Sequence, residues 1–330
     1  MTKKIRTAVV GVGRLGGFHA EKYASLDSAD LVGVSDTDSA RAGEVARKLG
    51  VRSFTDYRDL IPLVDAVSIA TPTESHLEIG RDFLDAGVHV LVEKPIAMDS
   101  QEAEAFVEAA RASGALLQVG HLERFNPAIT ALGGRVRRPL FIESYRLSPF
   151  PARSTDIDVI LDLMIHDIDI ILNLVNEEIV DIKAMGIPVI TRHVDMANAR
   201  LRFAGGCVAN VTASRVSRER ARSIRLFQSD SIISIDYAAQ HIYITRAEGK
   251  DGGADDGGPG RLIDEDMEIE KKDSLLEEIR SFVDSCIEGT TPLVSGEAGK
   301  RALEVAERIQ ASVRESMARF SGEAMGAEGA

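Results

Sequence analysis

Ile5-Arg6-Thr7-Ala8-Val9-Val10-Gly11-Val12-Gly13-Arg14-Leu15-Gly16 decides the fold of the amino-terminal part of the chain. A β-rich apolar run leads straight into a GxGxxG turn, and a helical pattern follows. In that context each glycine has a separate task. Gly11 permits the tight turn, Gly13 lets the backbone approach a pyrophosphate, and Gly16 allows close packing of helix on strand. The helix beginning at Arg14 and Leu15 would point its amino terminus, with unpaired N–H groups, at the anion.

Working outward, Asp36 lies 20 residues beyond Gly16, at the end of the next β-rich run. A carboxylate there accepts hydrogen bonds from a ribose diol and repels a 2′-phosphate, which selects NAD over NADP. Strand-like runs at 5–10, 31–35, 66–70, 88–92 and 116–119 alternate with helical patterns at 15–26, 39–49, 74–86 and 101–112. Such alternation predicts a parallel sheet with helices on both faces. Past residue 140 the rhythm changes. Short β-rich runs at 141–147, 179–184, 197–203, 208–213, 224–227, 232–235 and 242–245 predict a largely antiparallel sheet. The expected class is therefore an α/β Rossmann domain with a doubly wound parallel sheet, 1–120, followed by an α+β domain with a large, mostly antiparallel open sheet, 121–320. Glycine-rich 249–260 and the small-residue tail 321–330 are expected to be disordered.

The bulk composition narrows the function. The 330 residues suit two domains. A net charge of -13 argues against general nucleic-acid binding, although a small anionic substrate needs only a few local arginines. No apolar run reaches the roughly 20 residues of a membrane helix, and the start carries no signal-peptide pattern. Two cysteines, Cys207 and Cys286, make neither a disulfide framework nor a zinc site, so a cytoplasmic protein with no metal is expected. Serine-hydrolase, zinc-protease and Walker A motifs are absent from the sequence.

Candidate chemistry gathers at strand ends and on one helix. Thr71-Pro72 closes one strand, with His76 just beyond, and Glu93-Lys94-Pro95 closes another. A lysine at such a rim can polarise a carbinol oxygen, or can lie on a solvated surface. Gly120-His121-Leu122-Glu123-Arg124-Phe125-Asn126-Pro127 follows the last Rossmann strand; His121, Arg124 and Asn126 carry donors suited to sugar hydroxyls or a cofactor amide. On helix 159–175, Asp162, His166, Asp169 and Asn173 fall at i, i+4, i+7 and i+11, a narrow polar stripe on an otherwise apolar helix. Asp162 can orient His166 as a base, or the stripe can be an internal hydrogen-bond network. Five arginines, at 215, 218, 220, 222 and 225, fit either a phosphate-binding patch or a protected edge strand.

Gly11–Gly16, Asp36, Thr71-Pro72, Glu93-Lys94-Pro95 and Asp162-x3-His166 together resemble the Gfo/Idh/MocA oxidoreductase family, along nearly the whole chain. The resemblance implies NAD as cofactor, held by Gly11, Gly13, Arg14, Leu15, Gly16, Asp36, Thr71, Pro72, His76, Glu93, Lys94 and His121. It also implies Lys94 and His166 as catalytic residues, with Asp162 beside the substrate. The glycine-rich stretch common before that aspartate is replaced by Asp158-Val159-Ile160-Leu161. Residues 120–127, 161–169 and 214–228 are similar to the branch that oxidises a ring hydroxyl of UDP-N-acetylglucosamine, which implies a sugar substrate met by Arg124, Asn126, Asp162, His166 and Arg215. A homodimer or homotetramer through the second-domain sheet is implied as well. A free polyol, inositol or hexose is the rival substrate, and a non-catalytic NAD sensor the rival class. Either Lys94 or His166 can be the base.

Overall fold

The computed structural model describes residues 4–150, 157–248 and 261–327. They form two compact units: Met1–Phe125 with Asp273–Glu304, and Asn126–Lys272 with Val305–Ala330.

In the first unit, β1 (Ile5–Val10), β2 (Ala29–Ser35), β3 (Arg52–Phe54), β4 (Ala66–Ile69), β5 (His89–Glu93) and β6 (Leu117–Gly120) make a parallel sheet of order β3-β2-β1-β4-β5-β6. The chain reverses direction across the sheet between β1 and β4, the switch point at which doubly wound sheets bind ligands. Helices α1 (Arg14–Ser25), α2 (Ser39–Leu49), α3 (His76–Asp85) and α4 (Ser100–Ser113) join the strands. Their ends are marked chemically. Asp38 and Asp99 accept the first amides of α2 and α4, while Gly50 and Gly114 end those helices in the left-handed conformation.

The expected boundary at residue 120 needs two corrections. Residues 121–125 belong to the first unit, and so does 273–304. Helix α7 (Ser274–Glu288), which follows the short α5 (Pro127–Thr130) and α6 (Ile165–Val175), packs Ile279, Phe282 and Val283 into the same core as Val9, Tyr23 and Leu31. The stretch after it extends the sheet at β6, where Val119 N–H donates to Val294 O at 3.0 Å. An apolar helix stripe is covered by whichever surface is available, whatever the distance along the chain.

The second unit holds β7 (Phe141–Leu147), β8 (Ile179–Ile187), β9 (Met196–Phe203), β10 (Val208–Ser214), β11 (Ala221–Phe227), β12 (Ser231–Asp236), β13 (His241–Glu248) and β14 (Arg261–Met267). Their order is β14-β13-β12-β11-β7-β10-β9-β8. All pairings are antiparallel except β7 with β10. The long helix α8 (Gly296–Ala327) runs into the tail that composition had left unstructured, as far as Ala327. The glycine-rich stretch 249–260 and residues 328–330 lie outside the described residues. Among the described residues no helix is long and apolar enough to cross a membrane.

Candidate active site

The glycine loop has the conformation its residues predict. Gly11 sits at φ +81°, and a Cβ there would lie 2.7 Å from Thr71 Cγ2. A Cβ on Gly16 would lie 1.8 Å from Gly11 O, so helix and loop touch backbone to backbone. At Gly13 a Cβ would meet no atom within 4 Å, which leaves that face of the loop open to a pyrophosphate. Gly13 caps α1 without a side chain, and no acidic residue sits in the first turn, so the helix amino terminus keeps its positive end for an anion. Leu15 is exposed at the rim.

Asp36 follows β2 and is 7% exposed. Its Oδ2 accepts the Val12 N–H at 3.0 Å, which ties it to the glycine loop, and its Oδ1 accepts the Asp38 N–H at 2.9 Å. Arg41 Nη1 stands 3.3 Å from both oxygens and is half exposed. The two amides hold the buried carboxylate in place, and the half-exposed guanidinium is its contact with the surface.

Thr71-Pro72 and Glu93-Lys94-Pro95 end β4 and β5 on the carboxyl edge of the same sheet, and the Lys94–Pro95 peptide is cis. His76 is 1% exposed and lies between the two turns, Nε2 2.9 Å from Thr71 O and Nδ1 3.0 Å from Pro95 O. Burial depresses its pKa, against the two carbonyl hydrogen bonds. Its role here is to bridge two loops; expected as a cofactor ligand, its ring nitrogens are turned to backbone. Glu93 is also turned inward. Its Oε1 lies 3.0 Å from His19 Nε2, and its Oε2 accepts the Lys94 N–H at 3.2 Å. Lys94 itself is half-buried at this edge.

His121, Arg124 and Asn126, expected to serve the cofactor or the sugar, are all buried. Arg124 Nη2 donates to Leu293 O at 3.3 Å. Asn126 caps α5 by accepting the Ala128 N–H at 3.0 Å and donates to Tyr237 O at 3.0 Å, so the Asn126 amide works within the fold, a correction to its expected place at the substrate.

In the second unit the apolar helix begins as a π turn, Ile160–Met164, and continues as α6. Asp158 stands in for the missing glycines. Its Oδ1 accepts the Ile160 and Leu161 amides at 3.0 Å each, and its Oδ2 accepts Gln310 Nε2 at 2.6 Å. Asp162 sits within this i→i+5 turn, and such turns recur at functional sites. Asp162 and His166 are half-buried, Asp169 is buried and Asn173 exposed. The polar stripe omits a residue that the fold uses. Asp167, 1% exposed, pairs with Arg146 Nε at 2.6 Å and accepts Ser144 Oγ at 2.7 Å, which pins the helix to β7. Only its neighbours in the sheet, out of reach of local pattern, reveal that task.

Arg215 needs the plainest correction. It is completely buried. Its Nε donates to Asp195 Oδ1 at 2.8 Å, its Nη1 to Ile157 O at 2.7 Å and its Nη2 to Thr191 Oγ1 at 3.2 Å. A guanidinium so enclosed meets no sugar; it secures the loop before β9. Of the other clustered arginines, Arg218, Arg220, Arg222 and Arg225 are exposed, and Arg225 stacks on Phe227.

Residues 5–121 match the oxidoreductase family Gfo/Idh/MocA with its NAD-binding Rossmann fold, and residues 135–234 match a carboxy-terminal domain of that family. UDP-N-acetylglucosamine 3-dehydrogenase of Acidithiobacillus ferrooxidans is 41% identical over 310 residues, 94% of this chain and 97% of that protein. Its solved structure aligns with a TM-score of 0.88 over 94% of this chain and 97% of that one. Myo-inositol 2-dehydrogenase of Thermotoga maritima is 29% identical over 334 residues, 94% of this chain and 97% of that protein. On both family matches and on the 41% identity along nearly the whole chain, the protein belongs to the Gfo/Idh/MocA family of NAD-binding oxidoreductases.

Proposed function

We propose that the protein oxidises a ring hydroxyl of a nucleotide sugar with NAD⁺, converting UDP-N-acetylglucosamine to its 3-keto form. The observation that carries this reading is a lysine fixed at the carboxyl edge of the sheet with an open glycine loop, in a chain 41% identical to an enzyme of that activity over 94% of its length. Gly11, Gly13, Gly16 and the α1 amino terminus hold the pyrophosphate, with Arg14 and Leu15 at its rim. Asp36 orients the ribose, and Thr71, Pro72 and His121 belong to the nicotinamide end. When bound, NAD⁺ would supply the acceptor for the hydride that leaves the carbinol carbon. His166 accepts the hydroxyl proton, Asp162 orients it, and the Lys94 ammonium stabilises the alkoxide as it forms. Arg218 and Arg220, exposed on the turn before β11, supply cations for a diphosphate.

A homodimer or homotetramer through the second sheet belongs to the same proposal, supported by Met185, Ile187, Tyr243 and Leu262, large apolar residues exposed on its strands. So does a cytoplasmic site of action, supported by two unjoined thiols that burial pushes up to about 11 at Cys207 and about 12 at Cys286.

The test is the appearance of reduced-nicotinamide absorbance with NAD⁺ and UDP-N-acetylglucosamine, against inositol and simple hexoses. Lys94→Ala and His166→Ala should each lower kcat by a factor of about a hundred or more and still bind NAD. Turnover of inositol alone overturns the substrate, and near-normal turnover in both variants overturns the residues.

A further inference from the structure

Tyr23, Ser68, His19 and Glu93 form one buried chain of polar groups in the nucleotide-binding unit. Tyr23 and His19 come from the inward face of α1, Ser68 from β4 and Glu93 from the end of β5. Their exposures are 0% for Tyr23, 1% for His19 and 0% for Ser68. The contacts are Tyr23 Oη to Ser68 Oγ at 2.8 Å, Ser68 Oγ to His19 Nδ1 at 3.2 Å, and His19 Nε2 to Glu93 Oε1 at 3.0 Å. The last link is the Lys94 N–H on Glu93 Oε2 at 3.2 Å. On the other side β6 closes the site, where a Cβ on Gly120 would lie 3.1 Å from Glu93 Cδ.

The direction of the chain follows from chemistry. An ionised carboxylate only accepts, so His19 Nε2 carries a hydrogen towards Glu93. Ser68 Oγ and Tyr23 Oη continue the chain behind His19, and each bond polarises the next. Burial pushes the Glu93 carboxyl up, but the hydrogen bond and charge of His19, and then the Lys94 cation and amide, outweigh it and hold it below the ordinary glutamate range. Nearby Glu278, wholly buried, is forced the other way by burial and by the charge on Glu93, so Glu93 is the ionised member of the two. His76 also feels the Glu93 charge. A sheet core is as well served by apolar packing as by a buried charge, which is costly to retain. What this charge grips is the backbone of Lys94.

We propose that His19 is a positioning residue for Lys94, acting through the Glu93 carboxylate that holds the Lys94 amide. This role rests on Lys94 acting in the oxidation proposed above. A hydrogen bond to the amide fixes where the lysine leaves the strand, and displacement of a positioning group by about 1 Å can cost a factor of about a hundred in rate.

The test compares His19→Leu, His19→Gln and Glu93→Gln in the full chain. His19→Leu should lower kcat by roughly tenfold to a hundredfold with NAD affinity unchanged. His19→Gln, which keeps a donor for Glu93, should recover most of that loss. Of the two acid limbs in the kcat profile, one set by His166 as base and one by Glu93, the Glu93 limb should move to higher pH in His19→Leu, because Glu93 loses the donor that keeps it ionised. In Glu93→Gln that limb should disappear while the His166 limb remains. Selective ¹⁵N-lysine labelling gives a reading without turnover: the Lys94 amide resonance should shift with the Glu93 titration, and that titration should move in His19→Leu. A Lys94 amide indifferent to His19, or wild-type kcat with an unmoved Glu93 limb in His19→Leu, overturns the proposal. If His19→Leu does not fold, His19→Gln and Glu93→Gln still decide it through the amide titration. An enzyme that turns over no sugar but keeps the amide response refutes the function and leaves the His19–Glu93–Lys94 linkage standing.

Discussion

Replacing Arg215 with methionine should unfold the second unit early while sparing the cofactor. The guanidinium is completely buried and divides its donors among Asp195, Ile157 O and Thr191 Oγ1. Methionine keeps most of the stem volume and removes all of the donors. Asp195 is then a buried carboxylate without its counter-ion, a change that costs about 3–5 kcal/mol. The lower end applies, because Asp195 Oδ2 still accepts amides from Val189, Ile190 and Thr191 at 2.9, 2.7 and 2.8 Å. A loss of about 3 kcal/mol in a unit of this size lowers Tm by about 6–12 °C. Burial alone would raise the Asp195 pKa, but those amides and then Arg215 hold it well below the ordinary aspartate range. Its stabilisation is therefore present above the unfolded value of about 3.9 and is lost as pH falls towards the depressed folded value, so the gap between variant and wild type should narrow in acid. Thermal unfolding followed by circular dichroism at neutral and acid pH measures both effects, with NAD titration as the control. An unchanged Tm together with a raised KM for the sugar would refute the reasoning and return Arg215 to the substrate.

Two further outcomes follow from other buried carboxyls. Asp36→Ser should weaken NAD and strengthen NADP, shifting the preference by about tenfold or more, because the repelling carboxylate is gone and Arg41 loses the partner that now holds it. Fluorescence titration with both nucleotides checks this, and an unchanged ratio rejects the assigned ribose position. Glu278→Met should stabilise the protein at pH 8. The folded pKa of Glu278 is raised well above its unfolded value, so the wild type loses about 1.4 kcal/mol for each pH unit above roughly 4.3 until the folded value is reached. Denaturant titrations from pH 4 to pH 8 should show the advantage growing with pH, and a constant offset would reject it.

Much of the frame was legible because it is local. The Ile5–Val10 and Phe141–Leu147 strands and the Ser39–Leu49 helix coincide with their patterns. The glycine loop and Asp36 carry their geometry in their spacing. What escaped depends on distant partners. Arg52–Phe54 is too short to show a period, and Arg261–Met267 is an exposed edge strand with no apolar alternation to reveal it. One arginine of a cluster is buried and four are not, and the difference is Asp195, remote in sequence. His19 did leave a local trace. Gly16, His19, Ala20 and Tyr23 fall at i, i+3, i+4 and i+7, which is the core stripe of α1, and a histidine in such a stripe asks for a partner.

The return of Asp273–Glu304 to the first unit has a consequence for synthesis. Ile279, Phe282 and Val283 complete a core that begins at Ile5, so the nucleotide-binding unit stays open until most of the chain has left the ribosome. A fragment ending at Phe125 would present the seat of that helix to solvent, as an adhesive surface with no cover. The unit that reads as the first to be made is, in its packing, among the last to be finished, and a nascent chain needs that surface shielded in the meantime.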